Sequence, residues 1–377
     1  MLTSAQFRDN FPMLAHTVHL ASCSQGALSG ELTVALAELT ASLHAYGAPW
    51  QVWMTEVDQA RDRFAELIGA SPDEVAIVAC ASDGAYQIAS TKDWSRRPVV
   101  VTTDMEFPSI GHVWLAQAPR GAEVVHVPER DATVDADELV AAIDERTALV
   151  SVPLASYRNG ARMPVEAAVA RAREVGARVF VDAYQAAGVL PIDVRALGCD
   201  YLVAGALKYL LGLPGLAFLY ARDGVTDDLP PQLTGWFGRV DPFRFDPRRL
   251  DFPARARRFE TGTPAIPAAY AANAGLRLLS RVDPYAVGRH VTALATRTAE
   301  RLRAAGEKVW LPASPPGPQV ALVDDDPDRL AAYLSRRRIF TAPRGNVLRL
   351  SFHYYNNDSD VDAALAAIAD YRAGIAI

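Results

Sequence analysis

The chain has 377 residues, 50% hydrophobic and 22% charged, with a formal net charge of −6 at pH 7. That is a globular composition with room for one large domain and a smaller one, and its acidic balance argues against nucleic acid or an anionic membrane surface as the main partner. Cys23, Cys80 and Cys199 lie far apart with no CxxC or histidine pattern, so neither a disulfide framework nor a metal site is indicated; the chain has no signal-like apolar core or uninterrupted membrane span, and a cytoplasmic location is expected.

Along the chain, an amphipathic helix over 53–69 precedes VAIVA (75–79), PVVVTT (98–103) and AEVVHVP (122–128), three strand-like runs. A helix over 135–145, a strand ALVSVPL (148–154), a helix over 164–176 and a strand ARVFVD (177–182) follow. DYLVAG (200–205) and GLAFLYA (215–221) complete the series. Near-continuous apolar strands separated by helices predict a mostly parallel sheet of seven strands, covered on both faces. From about residue 227 to 264 the chain is rich in Pro and Arg, too long for a simple turn and so marked as functional. Helices over 266–281 and 284–305 then lead to a strand at 319–324, a helix at 327–338, strands RIFTA (338–342) and NVLRLSF (346–352), and a helix at 358–374. These form a second, smaller α/β unit.

Ligands of open α/β sheets sit at the carboxyl ends of the strands. Two residues there carry chemistry. Lys208 lies in YLVAGALKYLLGLPGLAFLY, among apolar residues and glycine. Its ammonium either snorkels to water or, if held from water, is driven toward the free base that makes a Schiff-base nucleophile. Asp182 ends the strand in VFVDAYQAAG, where a carboxylate either caps the next helix or needs a cationic partner, for which a protonated heterocyclic nitrogen is suited.

One strand-helix-strand step apart, these two segments resemble the pyridoxal-phosphate (PLP) site of the class V aminotransferase and cysteine desulfurase-like family. The resemblance implies the aspartate-aminotransferase-like fold of PLP-dependent transferases: a large PLP-binding domain (15–265) and a small C-terminal α/β domain (266–377), with residues 1–14 packing on the latter. By the same resemblance Lys208 forms the internal aldimine, Asp182 pairs with the pyridine nitrogen, and Gln185 touches the phenolic oxygen. CASDGAYQIA (80–89) resembles the phosphate cup, with Ala81, Ser82 and Asp83 as contacts and the Asp83 side chain expected to turn away. TDMEFPSIGHVW (103–114) resembles the segment supplying a stacked ring, here Phe107. RFETGTPA (258–265) resembles the loop whose threonine, Thr263, reaches the neighbouring subunit's phosphate, which implies a homodimer with shared active sites. NVLRLSFHYYNN (346–357) resembles the strand whose arginine, Arg349, clamps the substrate α-carboxylate. HLASCSQGAL (19–28) aligns with a segment lining the substrate pocket, through Ser22 and Ser24.

Departures narrow the reading. Leu207 replaces a histidine of the desulfurases, and Tyr209 within LKYLLG leans toward kynureninase-like relatives, as do Phe107 and the GWFGRVDPFRF stretch with Trp236 as a pocket wall. Tyr157 stands where desulfurases place an asparagine, leaving Asn159 or Arg158 as replacements. Residues 325–348 contain no cysteine, so persulfide transfer is disfavoured. The expectation is a PLP enzyme acting at Cα of an amino acid, first as an aminotransferase. A C–S lyase working by β-elimination comes second, and an epimerase or a non-catalytic relative of the same fold comes after.

Overall fold

Valine, alanine and leucine dominate the strands, and in five of them every residue is buried. The computed structural model describes residues 1–225, 228–313 and 316–375. Numbered along the chain, its strands are β1 (Val18–His19), β2 (Val75–Val78), β3 (Val99–Thr103), β4 (Glu123–Val127), β5 (Thr147–Pro153), β6 (Arg178–Asp182), β7 (Tyr201–Gly205), β8 (Ala217–Ala221), β9 (Gln319–Val323), β10 (Ile339–Phe340), β11 (Ala342–Arg344) and β12 (Val347–Ser351). Strands β2 to β8 form one seven-stranded sheet in the order β2-β8-β7-β6-β5-β3-β4. Only β8 runs against its neighbours within that sheet, pairing antiparallel with both β2 and β7. The mostly parallel seven-stranded α/β core expected from the sequence is therefore present. Edge strand β4 exposes Glu123 and His126, a charged border that discourages further pairing.

Helix ends follow local chemistry. Asp135 and Asp193 accept backbone N–H bonds to start Ala136–Ala141 and Val194–Leu197. Gly176, at φ 72°, ends Val165–Val175 in the left-handed conformation that glycine adopts at least cost. The helix Ala81–Ser90 is an exception: Cys80 at its N-cap offers no side-chain hydrogen bond, so its first-turn N–H groups are open toward the sheet's carboxyl edge.

A helix at Gly30–Tyr46 has no counterpart in the sequence reading. It exposes Val34, Leu43 and Tyr46 while burying Leu32, Ala35 and Leu39, so apolar residues surround it and blur the helical period. It packs against Ile266–Leu279, which also packs against Trp50–Leu67, so the three form a helical layer. The predicted single strand at 338–342 is divided: β10 pairs in parallel with β1, and β11 pairs antiparallel with β12. The N-terminal strand captures one half of that run, which no local pattern announces. Together β11, β12 and β9 form a three-stranded antiparallel sheet. Arg8 from the first helix forks onto Asp360 at 2.8 and 3.0 Å, and Phe7 lies against Phe11, His353 and Tyr355, fastening the first residues to the last part of the chain.

Candidate active site

Strands β6 and β7 run side by side and end at Asp182 and Gly205. Beyond them the chain turns inward, so Asp182, Tyr184, Gln185 and Lys208 all line one cavity of about 220 Å³. The start of the Ala81–Ser90 helix closes one side through Cys80, Ala81 and Ser82. Phe107, Ser109 and Ile110 close another, with Tyr157 beyond them. The Phe107 and Tyr157 rings meet edge to face at 4.9 Å. Lys208 Nζ lies 4.5 Å from the centroid of Tyr184 and 5.6 Å from that of Phe107.

Burial removes water from the ammonium and pushes Lys208 down to about 8, although Cys23 and Asp182 favour the charged form. A lysine with that value has about a tenth of its population as free amine at pH 7. Burial also raises Asp182, against the hydrogen bond of 2.8 Å that its Oδ1 accepts from the Tyr184 N–H and against the Lys208 charge. Glu106 shares the predicament: it is buried, its oxygens accept from Phe107 N at 2.8 Å and Ser151 Oγ at 3.0 Å, and burial with the neighbouring Asp182 charge holds it well above the carboxylate range. Two buried carboxyls beside one another retain a proton between them. Gln185 is fixed by donating from Nε2 to the Cys23 carbonyl at 3.1 Å. Its Oε1 is buried and has no hydrogen-bond partner among the described residues.

Of the residues singled out from the sequence, Lys208, Asp182, Gln185, Phe107, Ala81 and Ser82 are brought together on this cavity. Asp83 occupies the same helical turn but does not line it. Tyr209 is buried in the core, with its carbonyl accepting from His353 Nε2 at 2.9 Å. Arg349 is also buried, donating from Nε to Ala342 O at 3.1 Å and from Nη1 to Tyr157 O at 2.8 Å. It therefore stands one residue behind the Tyr157 wall, near enough for its charge to lower Lys208. Ser22 is buried and bonds the Tyr355 hydroxyl at 2.6 Å, whereas Ser24 and Thr263 are exposed. Trp236 is not brought to Lys208; it lines a separate cavity of about 440 Å³ with Arg239, Arg244 and Phe245. Asn159 is committed to Ala132 O and Ala161 N, and Arg158 lies over the Trp310 ring at 4.4 Å, so neither faces the cavity.

Sequence reasoning passed over Tyr184 and Glu106. Tyr184 reads as an ordinary core aromatic inside VDAYQAAG. Glu106 precedes Phe107 in a loop, where a carboxylate normally faces water. The one available signal was position: both stand within two residues of a residue already selected.

The cavity suits PLP on its own terms. It presents an amine depressed by burial, a buried carboxyl that a cationic ring nitrogen would stabilise, and an unpartnered Gln185 oxygen. Beside them lies a helix start whose N–H groups suit a phosphate. A family model described as aminotransferase class-V matches residues 37–364. The uncharacterized aminotransferase YcbU of Bacillus subtilis is 39% identical over 368 residues, 97% of this chain and 97% of that protein. A kynureninase of Deinococcus radiodurans is 27% identical over 97% of this chain and 92% of its own length. A solved C-DES variant with glycine covalently linked to its PLP cofactor superposes with a TM-score of 0.89 at 22% identity, covering 96% of this chain and 99% of that one, which shows a shared fold. With the family model spanning most of its length and a relative this similar from end to end, the chain belongs to the class V aminotransferase family and is a PLP-dependent enzyme.

Proposed function

We propose that this protein acts at Cα of an amino acid, as an aminotransferase, with Lys208 as the residue that first holds the cofactor and then moves the proton. The observation that carries the reading is Lys208 itself: an amine pushed down to about 8 by burial, walled by Tyr184 and Phe107, with Asp182 beside it. When bound, PLP supplies an electron sink that stabilises negative charge at Cα. Lys208 Nζ, partly free amine near neutral pH, would hold the cofactor through its aldehyde and, once released, would be the base that moves the Cα proton. Asp182, kept from water and accepting the Tyr184 N–H, offers its carboxylate to the ring nitrogen. Gln185 Oε1 and the open N–H groups of Ala81 and Ser82 would add polar contacts. Arg349, behind Tyr157 and held by two carbonyls, supplies a fixed positive field for a substrate carboxylate.

A persulfide relay is disfavoured by the thiols. Residues 325–348 carry none, Cys199 is buried with its thiol pushed up to about 12, Cys23 is buried, and Cys80, though exposed and on the cavity, stands at the helix start that suits the phosphate. The test is a single-turnover incubation of the PLP-loaded protein with individual amino acids. A keto acid formed in stoichiometry with the pyridoxamine form of the cofactor supports transfer. Pyruvate, ammonia and a released thiol would instead establish a C–S lyase. If borohydride reduction leaves no cofactor mass on Lys208, the reading fails.

We propose further that two copies associate through the exposed stretch around Thr263, Phe243 and Phe245. Support comes from Phe243 and Phe245, 58% and 70% exposed, clustered on Trp236, which itself meets Trp50 at 5.6 Å. Sedimentation equilibrium giving a monomer at micromolar concentration would refute the association.

A further inference from the structure

Tyr184 occupies the cavity in a way that its place in the sequence does not explain. A Cβ added to Gly205 would come within 1.9 Å of both the Tyr184 Cζ and its hydroxyl oxygen. Gly205 is not among the residues with positive φ, so its lack of a side chain serves space and not backbone geometry. The phenol lies on the last residue of β7. Val203, two residues earlier on the same face of that strand, reaches to 3.1 Å from where a Cβ on Gly84 would be. That face is therefore the one covered by the Ala81–Ser90 helix, and Gly205 lies a step nearer the helix start. Cys80, the N-cap of that helix, acts electrostatically on Tyr184, and Cys80, Ala81, Ser82 and Tyr184 line the cavity together.

The hydroxyl thus stands beside the open N–H groups of a ten-residue helix. It makes no hydrogen bond among the described residues. Burial raises the phenol well above its ordinary value, so it stays a neutral O–H donor at any working pH. A neutral donor next to a helix N-terminus recognises an anion without the desolvation cost of a buried cation.

We propose that the Tyr184 hydroxyl is a ligand of the cofactor's phosphate, seated there by the missing side chain of Gly205. The proposal rests on the PLP reading above, and it separates the phosphate end of the site, held by Tyr184 and the helix start, from the aldehyde end, held by Lys208. Cofactor-free protein distinguishes the two, titrated by absorbance with PLP and, in parallel, with pyridoxal, which lacks the phosphate. Tyr184→Phe, which keeps the ring, should weaken PLP roughly tenfold and leave pyridoxal unchanged. Gly205→Ala displaces the phenol and should give the same selective loss. The double variant should be no worse than either single one, because both remove one contact. Thermal melts of the apo variants within a few degrees of wild type establish that they fold. PLP binding unaltered by Tyr184→Phe, or an equal loss for both aldehydes, overturns the phosphate role. Wild type that binds neither aldehyde overturns the PLP reading and this proposal with it.

Discussion

The cavity around Lys208 and the stretch from 228 to 262 are both irregular chain, yet they are constrained in opposite ways. The cavity is built from residues at the carboxyl ends of buried strands or within seven positions beyond them, so each functional group inherits its place from the sheet. The 228–262 stretch has no sheet partner and only three short 3-10 turns. It is tied at its ends: Gln87 donates to Leu233 O at 2.8 Å and to Phe259 O at 2.7 Å, and buried Arg61 bonds Glu260 at 2.8 Å. Between those ties Phe243, Phe245 and Leu250 are exposed. The difference teaches where each kind of work is done: bond chemistry where the backbone is least free, and surface recognition on a strap fixed only at its anchors.

Four outcomes would sharpen or break that contrast. Lys208→Ala should abolish the reducible cofactor adduct and cut turnover by at least about 10³-fold, measured by mass spectrometry and steady-state assay, with the fold intact. Retained turnover would mean that the cavity is not the centre of the chemistry. Arg61→Ala leaves Glu260 buried beside the Ile77 N–H without its cation and should cost about 3 kcal/mol in urea unfolding. A loss near zero would show that the strap is not anchored there.

His353 gives the next effect, also of about 3 kcal/mol. Its Nδ1 accepts from the Tyr354 N–H at 2.8 Å and its Nε2 donates to Tyr209 O, so only the neutral ring fits, and burial lowers it to about 4. The unfolded chain takes up this proton below about 6.5, while the folded one resists to about 4. Stability from this group is therefore complete above 6.5 and is lost as pH falls from 6.5 to 4. Unfolding free energies measured across that window should lose part of their slope in His353→Gln. The smallest effect belongs to the strap: Phe245→Ser should change unfolding free energy by less than about 0.5 kcal/mol while weakening self-association.

Asp182 and Lys208 were legible in the sequence because a charged residue at the end of an apolar strand is energetically anomalous, and anomalies are visible without a structure. Tyr184 was not, since an aromatic in an alanine-rich turn is indistinguishable from core until the empty place at Gly205 is seen. Glu106 was hidden because burial of a loop carboxylate depends on Ser151 and Asp182, residues far along the chain. The sheet was readable from local apolar runs. The Gly30–Tyr46 helix was not, because its apolar residues face outward as well as inward, and the split of 338–342 depended on a partner at the other end of the chain.

That partner strand has a consequence for how the protein comes into being. Residues 18–26 join an earlier-made part of the chain to one made much later: β1 pairs with β10, and the Cys23 N–H bonds Ser351 Oγ across a separation of 328 residues. The same segment reaches the lysine loop, where the Gly26 N–H donates to Leu207 O at 2.9 Å. During synthesis the sheet can assemble while the ribosome is still at work, but the support beneath Lys208 waits for the final strands to emerge. Cofactor capture is then a reading of completeness: a truncated chain can be folded through most of its sheet and still have no seat for its vitamin.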